Sequence, residues 1–109
     1  MTNKNVIITG GNAGIGLATS IHLAKRGANI FIVTRNKEKA LAAVEQIKAA
    51  SGNKNVKYFI ADLSSQKSVR KVAAEIKHEV DVIDVLINKL ETAQNSYFPS
   101  LLQFSPLFL

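Results

Sequence analysis

The amino-acid sequence carries, close to its start, the stretch Thr9-Gly10-Gly11-Asn12-Ala13-Gly14-Ile15-Gly16, which directly follows the apolar run Val6-Ile7-Ile8. The order of apolar run, glycine-rich turn and helix-like segment is typical of a strand–turn–helix unit that binds phosphate. Glycine allows the tight turn and lets the backbone approach an anion closely. A helix that starts here would point its free N–H groups at that anion. We therefore expect Gly10, Gly14 and Gly16 to shape a pyrophosphate-binding loop.

Strand-like and helix-like segments alternate from this loop onward. Apolar runs without polar alternation, such as Ile30-Phe31-Ile32-Val33 and Val85-Leu86-Ile87, indicate strands that are covered on both faces. The expected strands are Asn5–Thr9, Asn29–Thr34, Val56–Ala61 and Ile83–Asn88. The expected helices run from about Gly14 to Arg26, Lys37 to Ala50 and Ser65 to Glu79, with Asn36 as the N-cap of the second.

This alternation predicts an α/β fold, a truncated Rossmann-type doubly wound parallel sheet. Right-handed crossovers give four strands in the order 3-2-1-4, with two helices on one face and the third on the other. Apolar residues at helical spacing identify the sides of the helices that pack on the sheet. They are Leu17, Ile21 and Ala24 in the first helix, Leu41, Val44 and Ile47 in the second, and Val69, Val72, Ala73, Ile76 and Val80 in the third.

Composition limits the class of protein. The chain has 109 residues, which suits one domain, and contains no cysteine, which excludes disulfides and thiolate metal sites. The net charge is +6, but the basic residues are scattered over helix faces and do not alternate with aromatics as in many nucleic-acid-binding proteins. There is no transmembrane segment and no signal-peptide pattern, so we expect a cytoplasmic protein.

The last part of the chain, residues 89–109, departs from the alternating pattern. It is apolar towards its end and contains Pro99 and Pro106, which disfavour a helix or a central strand. Two interpretations remain: an unstructured or loosely docked end, or a contact with a partner or a membrane surface. The predicted division is therefore a partial Rossmann domain over residues 1–88 and a divergent tail over 89–109.

Four motifs in order resemble the short-chain dehydrogenase/reductase family. They are Thr9-Gly10-x-x-x-Gly14-Ile15-Gly16, Thr34-Arg35-Asn36 after the second strand, Asp62-Leu63 after the third, and Asp84-Val85-Leu86-Ile87-Asn88 at the fourth. The resemblance covers Asn5 to Asn88 and is strongest to the retinol-dehydrogenase-like, NADP-preferring branch. It implies the N-terminal, NADP-binding portion of an oxidoreductase.

The resemblance implies a role for each matching residue. Thr9 would brace the glycine loop, and Ile15 would contact the cofactor through its backbone. Asp62 would accept a hydrogen bond from the adenine amino group, and the Leu63 backbone would meet the adenine edge. Asn88 would brace the central strands. An alternative for Asp62 is an N-cap near the third helix, a role that Ser64 or Ser65 could fill instead.

Arg35 follows the second strand, where NAD-binding domains carry an acidic residue that bonds the ribose 2′-hydroxyl. An arginine there suits a 2′-phosphate, because the guanidinium group can grip a phosphate through two parallel hydrogen bonds. We therefore favour NADP over NAD. The alternative is a solvated arginine at the start of a helix.

The catalytic residues of the family are not recognisable. After Asn88 the family continues Asn-Ala-Gly, whereas this chain continues Lys89-Leu90-Glu91. The family's Tyr-x-x-x-Lys pair is absent, because Tyr58 is followed four residues later by Asp62 and Tyr97 by Leu101. No metal-ligating cluster is evident.

Three functions follow as hypotheses. The first is that the chain binds NADP(H) without turnover. The second is a non-enzymatic interaction or regulatory fragment that self-associates or docks on a full-length relative. The third and least favoured is nucleic-acid binding.

Overall fold

The computed structural model describes residues 2–87, in which strands and helices alternate as predicted. The strands are β1 (Asn5–Thr9), β2 (Asn29–Thr34), β3 (Val56–Ile60) and β4 (Val85–Ile87), and the helices are α1 (Gly14–Lys25), α2 (Lys37–Ser51) and α3 (Gln66–Glu79). Most boundaries lie within one residue of the expected ones. The exception is β4, which begins two residues later than predicted. Asn88 and the predicted tail lie outside the described residues.

The sheet is parallel, with strand order β3-β2-β1-β4, which confirms the predicted topology. In the centre of the sheet Ile8 of β1 lies opposite Ile32 of β2 and Ile87 of β4. Because the strands are parallel, their carboxyl ends all lie at one edge of the sheet. The loops that follow β1, β2 and β3 therefore meet there, and this edge is where ligands bind in open α/β sheets.

Two hydrophobic cores cover the two faces of the sheet. Val6 and Ile8 pack towards α1 and α2, whereas Ile7 between them packs towards α3, and all three are fully buried. Successive strand residues point to opposite faces, so burial on both faces explains the unbroken apolar runs. Burial of each such side chain stabilises the fold by roughly 1.5–3 kcal/mol.

The prediction for the inner side of α2 was partly wrong. Val44 and Ile47 are buried as expected, but Leu41 is 49% exposed. The buried stripe runs instead through Ala40 and Ala43, which lie at helical spacing with Val44 and Ile47. Small alanines let α2 approach the sheet closely. Hydrophobicity alone predicted that the larger Leu41 would be buried instead. In α3 the predicted stripe is confirmed, since Val69, Val72, Ala73 and Ile76 are all buried.

Candidate functional site

The glycine loop lies between β1 and α1, at the carboxyl edge of the sheet. Gly10 has φ +67 and Gly14 has φ +56, a region that residues with a side chain rarely adopt. The Gly10 N–H donates to the carbonyl oxygen of Val33 at 2.9 Å, which fastens the loop to the end of β2. The loop therefore has the backbone shape that the sequence predicted for Gly10 and Gly14.

Two further glycines are required because of close packing. A Cβ on Gly16 would lie 2.3 Å from the carbonyl oxygen of Gly10. A Cβ on Gly11 would lie 2.6 Å from Cγ2 of Ile32 and 3.1 Å from the hydroxyl of Ser20. The role of Gly11 was missed from the sequence, because it depends on which β2 side chain lies beside the loop.

No side chain caps the first turn of α1. Its N-cap residue, Ala13, makes no side-chain capping hydrogen bond, and the turn holds no acidic residue. The N-terminus of an uncapped helix attracts anions through its N–H groups and its dipole. Ile15 lies in the same turn and is 75% exposed, and its backbone contact with a cofactor stays a prediction.

Thr9 is fully buried at the end of β1. Its hydroxyl donates to the carbonyl oxygen of Ile87 at 3.4 Å and so joins the ends of β1 and β4. This long bond adds to the backbone pairing of the two strands, which flank the switch point of the sheet. The bracing of the glycine loop by Thr9 stays a prediction.

A cleft of about 320 Å³ opens beside the loop at the same edge. It brings together four of the predicted site residues, Gly10, Arg35, Asp62 and Leu63. Thr9, Gly14, Ile15 and Gly16 do not line it, and Asn88 lies outside the described residues. Its walls also include Asn12, Asn36, Lys39 and Ser64, to which the sequence had assigned no contact with a ligand.

Asp62 is oriented by the loop between β3 and α3. Its Oδ1 accepts from the Ser64 hydroxyl at 2.5 Å and from the Ser64 N–H at 3.0 Å. These two bonds hold the pKa of Asp62 below its usual value; desolvation opposes them, and the charge of Arg35 adds the smallest of the lowering effects. Asp62 is therefore a carboxylate at neutral pH and can accept a hydrogen bond from a ligand.

The alternative role of Asp62 as the cap of α3 is wrong. The N-cap is Ser65, whose hydroxyl accepts from the Ser68 N–H at 3.3 Å. The Asp62 N–H in turn donates to the Ser68 hydroxyl at 2.8 Å. The helix start is thus satisfied by serines, and the Asp62 carboxylate lines the cleft.

Within the described part of the chain, no group of three or more His, Cys, Asp or Glu side chains is placed so that it could hold a metal ion. Among the helices of residues 2–87, none has the length and apolar character needed to cross a bilayer.

Comparison with known proteins gives the family. A model of the short chain dehydrogenase family matches residues 4–99. Human retinol dehydrogenase 13 is 45% identical over 85 residues, which cover 78% of this chain and 26% of that protein. Bovine dehydrogenase/reductase SDR family member 12 is 44% identical over 82 residues, covering 75% of this chain and 26% of that protein. The chain thus spans about a quarter of the length of these curated relatives.

Solved structures of other proteins have the same fold. L-sorbose reductase from Gluconobacter frateurii, in complex with NADPH and L-sorbose, superposes with a TM-score of 0.75 at 29% identity, over 84% of this chain and 35% of that one. The RhlG/NADP complex from Pseudomonas aeruginosa superposes with a TM-score of 0.76 at 26% identity, over 95% of this chain and 41% of that one. With its strand order, its glycine loop and the match over residues 4–99, the chain belongs to the short-chain dehydrogenase family.

Proposed function

We propose that this chain binds NADP(H) through the adenosine and pyrophosphate half of the cofactor, and that these 109 residues alone do not transfer hydride. The observation that carries the proposal is the cleft in which Gly10, Arg35 and Asp62 meet at the carboxyl edge of the sheet. Three loops that are distant in sequence supply an anion-binding backbone, a cation and an acceptor in one place. The NADPH and NADP in the solved relatives support it.

Each part of the cofactor then has a partner. The pyrophosphate lies against the loop of Gly10, Gly14 and Gly16 and the N-terminus of α1, with the Ile15 backbone in contact. The adenine amino group donates to Asp62, and the ring edge meets the Leu63 backbone. The place of Asn88 beside the central strands follows from the family resemblance alone.

The preference for NADP over NAD rests on Arg35. It lines the cleft at the end of β2, where an acidic residue would select the free 2′-hydroxyl of NAD. A guanidinium group pairs well with a phosphate monoester. A carboxylate at this position would repel the 2′-phosphate.

Turnover requires a proton donor or acceptor within hydrogen-bond reach of the substrate. In this sequence the Tyr-x-x-x-Lys pair is absent. We therefore propose binding without hydride transfer for these 109 residues. A cytoplasmic location is part of the same proposal.

The test is a fluorescence titration with NADPH and NADH, on the wild-type chain and on Arg35→Ala. We expect Arg35→Ala to weaken NADPH binding by about tenfold, because a charge-assisted pair is lost, and NADH binding by less than about twofold. Equal losses for both cofactors would refute the role of Arg35. No binding of either cofactor by a folded wild-type chain would refute the function. Steady NADPH oxidation with a panel of aldehydes and ketones would refute the lack of turnover.

A second candidate function is docking on another chain, either a longer relative or a second copy. The observation that favours it is the outer edge of β4, which pairs with no other strand within residues 2–87. Unpaired strand edges recruit further strands. Sedimentation velocity over a concentration series tests this, and a strictly monomeric species at the highest concentration would contradict self-association.

A further inference from the structure

Lys39 lies in the first turn of α2 and lines the same cleft as Arg35. A capping hydrogen bond holds this turn in place, because the Lys39 N–H donates to Oδ1 of the N-cap residue Asn36 at 3.0 Å. Asn36 itself lies in the cleft wall next to Arg35. The backbone of Lys39 is thus anchored at the site, while its side chain remains exposed.

The charges of the cleft give Lys39 its importance. Of the described residues that line it, three are charged: Arg35, Lys39 and Asp62. Arg35 and Asp62 line the same cleft with opposite formal charges. Their charges therefore cancel in sum, and Lys39 gives the cleft its net positive charge.

A phosphate monoester at neutral pH carries a charge between about −1 and −2, since its second pKa is about 6. Arg35 can bond such a group through its planar fork, but part of its field is offset by Asp62. A lysine acts as a compact, mobile point charge on a long stem and can supply the missing charge from another direction. The two cations complement each other at one phosphate.

We propose that Lys39 is a specificity-determining residue that, together with Arg35, binds the 2′-phosphate of NADP(H). This inference rests on the proposed function and extends it to a residue that neither the glycine motif nor the position after β2 identifies. Lys37 provides the matched control. It carries the same charge and begins the same helix, two residues earlier, but does not line the cleft.

The experiment uses two probes that differ only in the group in question: adenosine 2′,5′-bisphosphate and adenosine 5′-monophosphate. Calorimetric titrations compare wild type, Lys39→Gln, Lys39→Arg and Lys37→Gln. We expect Lys39→Gln to weaken binding of the bisphosphate about five- to tenfold and binding of the monophosphate less than about twofold. Lys37→Gln changes both by less than about twofold, and Lys39→Arg restores most of the affinity for the bisphosphate.

The outcomes separate the two proposals. If wild type binds neither probe nor NADPH, the proposed function fails and the role of Lys39 fails with it. If wild type binds the bisphosphate more tightly than the monophosphate, but Lys39→Gln behaves like Lys37→Gln, the role of Lys39 alone is overturned. Equal losses for both probes in Lys39→Gln would also overturn it. Urea unfolding midpoints of all variants show that the folds being compared are intact.

Discussion

Gly16 packs its α carbon against the carbonyl of Gly10, and a Cβ at Gly16 would lie 2.3 Å from that oxygen. Real Cβ atoms do not approach an oxygen so closely, and the neighbouring atom is backbone rather than a flexible side-chain end. The first turn of α1 can therefore lie under the glycine loop only if residue 16 is glycine. This contact sets the distance between the glycine loop and the N-terminus of α1.

Gly16→Ala should lower the free energy of unfolding by about 2–3 kcal/mol, because the loop must move away from the helix. The control is Gly14→Ala, where φ is +56 but nothing lies within 4 Å of an added Cβ. There the cost is backbone strain of about 1 kcal/mol. Urea denaturation measures both variants. Equal losses would show that the loop yields easily and that the contact does not constrain it.

The prediction from sequence succeeded where a pattern is local and failed where tertiary placement decides. The strands and α3 are regular in apolar spacing, so Ile30–Val33 and the stripe from Val69 to Ile76 were predicted correctly. The prediction that Leu41 is buried was wrong, because hydrophobicity does not reveal that α2 packs through its alanines. The close packing at Gly11 and the place of Lys39 in the cleft wall were missed, because they depend on the position of Ile32 and on which side of α2 meets the cleft.

Asp84 fastens the start of β4 to β1. Its Oδ2 accepts from the Asn5 N–H at 2.8 Å, and its own N–H donates to the Asn5 carbonyl oxygen at 2.9 Å. Asp84→Ala should cost about 1.5–3 kcal/mol, the range for a hydrogen bond to a charged acceptor. The exposed Asp81 gives the control, since Asp81→Ala removes a nearby carboxylate of the same charge. Thermal unfolding compares them, and an equal effect would mean that net charge, not the bond, matters.

Asn53 links three parts of the chain. Its Nδ2 donates to the carbonyl oxygens of Ala24 at 3.0 Å and Ala28 at 2.8 Å, and its Oδ1 accepts from the Asn55 N–H at 2.8 Å. Asn53→Asp keeps the shape but replaces the donor with a charged acceptor that faces two carbonyl oxygens. We expect a loss of about 2 kcal/mol in urea denaturation at neutral pH. Asn55→Asp, at an exposed side chain nearby, should change stability little; a comparable loss there would contradict the assignment.

Asp62 should make the free energy of unfolding depend on pH in the acidic range. Its pKa is lowered chiefly by the Ser64 hydroxyl, then by the Ser64 N–H, and also by Arg35. In the unfolded chain the pKa is about 3.9. Because the folded value is lower, the stabilisation is fully present above the unfolded pKa and is lost as pH falls through the folded pKa.

Ser64→Ala removes the largest of these effects and should raise the pKa of Asp62 towards its ordinary value. An NMR titration of the Asp62 carboxyl carbon measures this directly, and urea midpoints between about pH 5 and pH 2 follow its effect on stability. Asp62→Asn is the control, since an amide does not titrate. The stability of this variant should therefore fall less than that of the wild type over the same pH range. An unchanged titration midpoint in Ser64→Ala would show that Ser64 does not hold the carboxylate in its charged form. The acceptor proposed for the adenine amino group would then lack the support that this loop provides.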